Sequence, residues 1–209
     1  MNDLIRIVAI VPVAAIEEAK TRLGGSLDAE ERHDLVERLL ATTLRSLLAV
    51  ERLSDVVVIS PDRAVLTLAA EAGARTMRQR TSGLNEGLRE ARSDVVAGGA
   101  EAIVIVPIDL PFITSSSVDV VLDVLLDVDE PTVVLCTDRH GTGTNLLAVR
   151  PAEAIEVAFG VDSRAAHRDS AADAGMRYRE VDGPLAVDLD TPEDLVFVES
   201  LDADGLRVG

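Results

Sequence analysis

One carboxylate follows a segment that has the length and composition of a buried strand, and two more lie close together near the end of the chain. Asp109 comes just after the apolar run 102–106. Asp188 and Asp190 lie two residues apart, so their side chains point the same way in extended chain. Open α/β sheets bind ligands beyond the carboxyl ends of their strands, and Mg²⁺ that bridges phosphates needs only one or two protein carboxylates. The aspartates therefore indicate a magnesium and nucleotide site, although each alone is also typical of a cap or a turn.

Backbone amides and cations that suit an anion occur in three other segments. The glycines of Gly141-Thr142-Gly143-Thr144 allow N–H groups to face an anion, and the alternative is a hairpin turn. Ser163 stands at a helix start, which also favours anions, after Gly160, where the backbone allows close approach. His167, one turn further, is expected to be a surface or partly buried side chain. Lys20 follows the first strand, in a loop that either reaches a triphosphate or is solvated.

The net charge limits the class of partner. The chain has 20 Lys and Arg against 37 Asp and Glu, a formal net charge of −17. Nucleic-acid binding draws most of its affinity from neutralising phosphates with basic side chains, so a nucleic-acid partner is not expected. A small phosphorylated substrate would need a metal or a local basic cluster. The candidate cations are Lys20, Arg22, Arg139, His140, Arg164 and Arg168.

The elements that must position these groups alternate between strand and helix. Short apolar runs predict strands, and apolar residues at helical spacing predict helices of ten or more residues between them. This alternation is typical of βαβ units and a mostly parallel sheet with helices on both faces, an α/β fold of three layers. The predicted strands are 5–11, 56–60, 75–77, 102–106, 132–137, 144–149 and 178–181, and the predicted helices are 28–50, 62–72, 84–96, 114–126, 164–174 and 192–201.

Composition predicts one domain over residues 1–209. A hydrophobic content of 47% is enough for one sizeable core, and an aromatic content of 2% means that aliphatic side chains must build it. The only cysteine, Cys136, lies in a predicted strand and is expected to be a small core residue. Because no disulfide framework, membrane span or signal peptide is indicated, we expect a cytoplasmic protein without a membrane partner.

Several motifs together resemble one family, the guanylyltransferases of coenzyme F-420 biosynthesis, which include 2-phospho-L-lactate and phosphoenolpyruvate guanylyltransferases. The resemblance spans nearly the whole chain. The block from Asp138 to Thr144 with the following Phe159-Gly160 and Ser163 is its most specific part. The other matching pieces are Ala19-Lys20-Thr21-Arg22-Leu23, Gly83-Leu84-Asn85, Asp109-Leu110-Pro111, His167-Arg168 and Asp188-Leu189-Asp190-Thr191-Pro192.

The resemblance implies a nucleotide-diphospho-sugar transferase-like fold, Mg²⁺, and transfer of GMP from GTP to the phosphate of a three-carbon phospho-acid. It also implies four sets of site residues. Lys20, Asp109 and Asp188 are implied to be catalytic, and Asp109, Asp188 and Asp190 to be metal ligands. Thr144, Gly160 and Ser163 are implied to bind the phospho-acid, and Lys20, Arg22 and Asn85 to face the nucleotide.

One position departs from the pattern that the resemblance implies. The family's lysine about six residues before the Ala-Lys-Thr-Arg stretch is replaced here by Ala14. The loss could lower activity, change the acceptor, or be compensated by Arg139 or Arg164. The alternatives to the enzyme are a transferase with another nucleotide or acceptor and a weak nucleotide-binding paralogue. The oligomeric state stays open, with a homodimer and hand-over to the next enzyme of the pathway as options.

Overall fold

The computed structural model describes residues 5–16, 20 and 23–203. Strands and helices alternate along nearly all of this length, as the sequence predicts. The strands are β1 Ile7–Pro12, β2 Leu53–Ser60, β3 Arg75–Arg78, β4 Ala102–Ile105, β5 Thr132–Cys136, β6 Leu146–Arg150 and β7 Arg177–Glu180. The helices are α1 Ala29–Leu48, α2 Arg63–Glu71, α3 Leu84–Ala97, α4 Ser115–Leu126, α5 Ser163–Asp173 and α6 Pro192–Ala203, with a 3-10 turn at Pro184–Ala186.

The described strands form one sheet in the order β3-β2-β1-β4-β6-β5-β7. Strand β6 runs antiparallel to both of its neighbours, and the other pairs are parallel. The Gly-Thr-Gly segment therefore lies in a hairpin connection between β5 and β6, the alternative named above. Because β6 is reversed, its first residues lie at the same edge of the sheet as the last residues of β4. This reversal brings Thr144 to the edge that carries Asp109.

Two apolar clusters cover the two faces of the sheet, which confirms the three-layer prediction. Ala9 and Val11 of β1 pack on one face with helices α1, α2 and α4. Val8 and Ile10 pack on the other face with α3 and α5. This alternation is the period-2 pattern of a strand with both faces buried.

Local capping fixes the start of α1. The side chain of Asp28 accepts hydrogen bonds from the backbone of Glu30 and Glu31, and the side chain of Glu31 accepts from the backbone N–H of Asp28. This reciprocal arrangement satisfies N–H groups that a helix start otherwise leaves unpaired. The helix ends two residues earlier than the sequence predicts, at Leu48.

Cys136 lies buried in β5, as expected of a small core residue. Burial raises the pKa of its thiol to about 12, so it stays protonated and unreactive at neutral pH. In the part of the chain that the structure describes, no helix is long and apolar enough to cross a membrane.

Candidate active site

A backbone hydrogen bond brings the predicted carboxylates together. Ile108 and Leu110 are buried, so Asp109 between them faces away from the core. The N–H of Leu189 donates to the carbonyl oxygen of Asp109 at 2.9 Å, and the Leu189 side chain is buried too. The flanking residues Asp188 and Asp190 are thereby presented beside Asp109, as the two-residue spacing predicts.

The ammonium group of Lys20 bridges two of these carboxylates. Its Nζ lies 2.7 Å from Asp190 Oδ1 and 3.4 Å from Asp109 Oδ2, and its side chain is only 7% exposed. Burial opposes the charge, but the two carboxylates outweigh burial and raise the pKa of Lys20 above its ordinary value. A charged lysine therefore ties the loop after β1 to Asp109, which follows β4, and to Asp190, which lies just before α6.

Asp188 lies in a different electrostatic environment from its neighbours. Burial and, after it, the negative charges of Asp109, Asp190 and Asp194 together raise its pKa to about 6. Within residues 5–16, 20 and 23–203, no Lys or Arg forms an ion pair with it. A carboxylate crowded by other carboxylates favours binding of an added cation.

The donor set matches Mg²⁺ held partly by a substrate. Among the described residues, no three His, Cys, Asp or Glu side chains surround a common metal position. Two protein carboxylates are enough for Mg²⁺ when phosphate oxygens and waters complete its octahedron, and the role of Asp109 and Asp188 as this pair stays a prediction. Asp190 is occupied by Lys20, and its role as a metal ligand stays a prediction. Arg22 lies outside the described residues.

The start of α6 is held by a residue that sequence reasoning did not single out. The Asp194 carboxylate accepts from the backbone N–H groups of Asp190 and Thr191 at 3.0 and 2.8 Å, and from the Thr191 hydroxyl at 2.8 Å. Arg139, predicted as a phosphate-binding cation, instead pairs with Asp194 and lies over the ring of Phe197 at 4.9 Å. The Thr-x-x-Asp spacing before a helix was the signal for this cap.

Asp138 shapes the Gly-Thr-Gly loop. Its carboxylate accepts from the backbone N–H of Thr142 at 2.8 Å and from the Thr142 hydroxyl at 3.3 Å. Burial opposes ionisation, but hydrogen bonds from the Thr142 and Gly143 backbone hold the pKa of Asp138 below its usual range. A Cβ at Gly143 would lie 2.9 Å from an oxygen of this carboxylate, so any larger residue there would displace the Asp138 side chain. Asp followed by a Gly-Thr-Gly run is the turn signal that could have identified Asp138.

The three residues implied to bind the acceptor lie together on the wall of one cleft. Thr144 and Ser163 are buried, and the Ser163 hydroxyl forms no hydrogen bond with a described residue. Gly160 has a φ of 128°, a conformation that side chains rarely adopt. The cleft has a volume of about 590 Å³, and the predicted residues among its lining are Asp109, Thr144, Gly160, Ser163, Asp188 and Asp190.

Asn85 holds the neighbouring loop in place. Its Nδ2 donates to the carbonyl of Phe159, and its Oδ1 accepts from the Phe159 N–H, both at 2.9 Å. Both amide atoms are thus engaged by one backbone unit just before Gly160. The nucleotide contact implied for Asn85 stays a prediction, whereas a role in positioning the acceptor loop is what its contacts provide.

The other candidate cations are mostly paired with acidic groups. Arg164 makes two hydrogen bonds to Glu180 and one to the carbonyl of Gly141. Arg168 pairs with Asp169 on the surface. Arg139 and Arg164, the two residues that could compensate for Ala14, are each paired with an acidic side chain, whereas His140 lines the cleft. Ala14 itself is exposed.

Comparison with known proteins now decides the family. The family described as "Guanylyl transferase CofC like" matches residues 7–201. This chain belongs to that guanylyl transferase family. A phosphoenolpyruvate guanylyltransferase of Sphaerobacter thermophilus is 43% identical over 190 residues, 90% of each chain. A 2-phospho-L-lactate guanylyltransferase of Methanocaldococcus jannaschii is 30% identical over 206 residues, 97% of this chain and 87% of that protein.

Solved structures share the fold of this guanylyl transferase family member. A nucleotide-diphospho-sugar transferase-type protein from Desulfovibrio desulfuricans G20 has a TM-score of 0.76 at 18% identity, over 97% of this chain and 90% of that one. A CMP:2-keto-3-deoxy-manno-octonic acid synthetase complexed with CTP has a TM-score of 0.63 at 16% identity, over 96% of this chain and 99% of that one. The nucleotide-diphospho-sugar transferase-like fold predicted from the sequence is therefore confirmed.

Proposed function

We propose that this chain transfers GMP from GTP to the phosphate of a three-carbon phospho-acid in coenzyme F-420 biosynthesis and releases pyrophosphate. The observation that carries the proposal is one cleft lined by two kinds of group. Asp109 and Asp188 line it, and so do Thr144, Gly160 and Ser163. Carboxylates for a metal-bound triphosphate and polar groups for a second anion are thus present in the same cleft.

The acceptor proposed first is phosphoenolpyruvate. Two relatives named phosphoenolpyruvate guanylyltransferase are 43% and 38% identical to this chain. Two relatives named 2-phospho-L-lactate guanylyltransferase are 30% and 32% identical to it. 2-Phospho-L-lactate is the second candidate. The two acids share a phosphate next to a carboxylate, which is the chemistry that the buried hydroxyls and the start of α5 suit.

The reaction needs no general base on the protein. The second pKa of a phosphate ester is near ~6, so at neutral pH the acceptor is mostly dianionic. One of its oxygens forms a bond to the α-phosphorus of GTP, and the bond from that phosphorus to the β-phosphate oxygen breaks. Both bonding electrons leave with pyrophosphate. The protein therefore acts by orienting two anions and stabilising their charge.

Charge in the cleft is divided between Lys20 and the carboxylates. Mg²⁺ at Asp109 and Asp188 would neutralise charge on the α-phosphate and on the leaving pyrophosphate. Asp188 must be ionised to bind, which its raised pKa of about 6 still allows at neutral pH. Lys20, which bridges Asp109 and Asp190, would add a positive charge beside the phosphate groups.

Pyrophosphate release, measured for each of four nucleoside triphosphates with each of three acceptors, tests the proposal. The acceptors are phosphoenolpyruvate, 2-phospho-L-lactate and 3-phosphoglycerate. We expect release with GTP and at least one of the first two. Release with another nucleotide would assign a different donor. Nucleotide binding without release from any pair would instead indicate a binding paralogue, the alternative that Ala14 raises.

A further inference from the structure

His167 makes hydrogen bonds through both ring nitrogens, and one of them has a fixed direction. The backbone N–H of Ala158 lies 2.9 Å from Nε2. A backbone N–H can only donate, so Nε2 must be the acceptor and carry no proton. The position of the Ala158 N–H alone therefore fixes the protonation of Nε2.

The second nitrogen must then carry the proton. His167 is fully buried, and burial lowers its pKa to about 4, so the ring is neutral at neutral pH. A neutral imidazole with an unprotonated Nε2 is protonated at Nδ1. Nδ1 lies 3.0 Å from the Thr144 hydroxyl oxygen and therefore donates to it.

The consequence for Thr144 is a fixed direction for its own proton. The hydroxyl oxygen accepts from His167, so its O–H cannot point back at the ring. No other described residue accepts a hydrogen bond from this hydroxyl, and Thr144 lines the cleft. The hydroxyl proton is left for a ligand, and a hydroxyl that accepts one hydrogen bond becomes a stronger donor in the next.

The His167 ring also contacts the segment just before Gly160, another residue of the proposed acceptor site. Ala158 precedes Phe159 and Gly160, and the Phe159 ring packs edge-on against His167 with centroids 5.2 Å apart. Asn85 binds the next backbone unit along. His167 therefore links the loop before β6 to the loop before α5, the two segments that carry the proposed acceptor contacts.

We propose that His167 is a positioning residue that fixes Thr144 as a hydrogen-bond donor to an anionic oxygen of the phospho-acid. The identity of that anion rests on the proposed function. A Thr144 hydroxyl held in this way favours a ligand whose unprotonated oxygens accept a hydrogen bond. It disfavours a ligand that places a hydrogen-bond donor at the same position. His167 itself does not touch the substrate.

The direction of the hydrogen bonds is tested on the free wild-type protein. We would record long-range ¹H–¹⁵N correlations of histidine-labelled protein at pH 7 and assign the His167 signals by their absence in His167→Gln. The expected spectrum has a protonated Nδ1 and an unprotonated Nε2. A protonated Nε2, in either the other neutral form or the imidazolium, would overturn the proposal.

Matched variants test the consequence for binding. Gln places its amide near the position of Nε2, and Asn places its amide near Nδ1, so His167→Gln keeps the Ala158 contact and His167→Asn keeps the donor to Thr144. A hydrogen bond to an anion corresponds to about tenfold or more in affinity. We expect Thr144→Val and His167→Gln each to raise the acceptor KM about tenfold with the GTP KM little changed, and Thr144→Ser and His167→Asn to be milder.

The double variant His167→Gln with Thr144→Val completes the cycle. If the histidine acts through the threonine, the double variant should raise the acceptor KM no more than Thr144→Val alone. Additive effects, or a GTP KM raised as much as the acceptor KM, would show that His167 has only a structural role. Wild-type protein without turnover of any acceptor would refute the proposed function and remove the acceptor as partner of Thr144, whereas the NMR measurement needs no substrate.

Discussion

Asp188→Asn should abolish turnover and yet stabilise the metal-free protein. The ionised Asp188 is half-buried among other carboxylates, which raises its pKa from 3.8 to about 6. A raised carboxyl pKa means that the folded state prefers the protonated form. Stability from this group is therefore full at low pH and is lost as the pH rises toward 6 and above. Asparagine resembles the protonated acid at every pH, so the variant escapes that loss.

The size of the gain follows from the change in pKa. Each unit corresponds to about 1.4 kcal/mol, which gives about 3 kcal/mol for a dry site. Solvent screens a half-exposed carboxylate, so we expect about 1 kcal/mol above pH 7. For a chain of this size, that raises Tm by about 2–4 °C. Near pH 4 the gain should disappear, because wild-type Asp188 is then protonated in the fold.

Thermal unfolding of the wild type and Asp188→Asn at pH 4.5 and pH 8, with a chelator present, measures the effect. Adding millimolar Mg²⁺ at pH 8 should then raise Tm of the wild type more than that of the variant. Asp190→Asn is the matched control, because it removes the closer partner of Lys20 and should lower stability. An Asp188→Asn protein less stable than the wild type at pH 8, or equally stabilised by Mg²⁺, would refute the reasoning.

Three other predictions concern His167, Gly143 and Ala14. Burial lowers the pKa of His167 from 6.5 to about 4, so its contribution to the free energy of unfolding should be full above pH 6.5 and fall by up to about 3 kcal/mol toward pH 4. Denaturant unfolding of the wild type and His167→Gln should show this dependence on pH. A difference between the two proteins that does not change with pH would contradict it. Gly143→Ala should displace the Asp138 carboxylate and raise the acceptor KM, whereas Gly25→Ala, with nothing within 4 Å, should have no effect; equal kinetics for both would contradict the loop's role. Ala14→Lys should lower the KM for one anionic substrate, and salt should reduce the gain; no change at low salt would mean that the missing cation is not needed.

Much of the fold could be predicted because local patterns dictate it. The run before Asp109 is buried on both faces, and its polar end necessarily leaves the core at the edge of the sheet. The hairpin alternative for the Gly-Thr-Gly segment already implied that β6 runs antiparallel to β5. The position of β6 beside β4 could not be predicted, because its apolar residues do not specify which other strand pairs with it.

Asp109 lies beyond the end of β4 as predicted, whereas Asp188 and Asp190, also predicted at a strand end, lie between the turn Pro184–Ala186 and α6. The supporting contacts of the candidate site were not predicted. His167 was expected to be a surface or partly buried side chain and is fully buried, so that expectation was wrong. The four-residue spacing of the buried Ser163, His167 and Ala171 was a signal for a buried helix face. The pairing of Asn85 with Phe159 joins residues 74 apart, and no local pattern reveals it.

Detection of the joined product tests the central claim most directly. Wild-type protein would be incubated with GTP, Mg²⁺ and phosphoenolpyruvate carrying ¹⁸O in its phosphate, and followed by ³¹P NMR and mass spectrometry. The account predicts two coupled phosphorus signals from a new P–O–P linkage, with all of the label in the product and none in pyrophosphate. Label in pyrophosphate, or hydrolysis of GTP to GMP without a linked product, would contradict it.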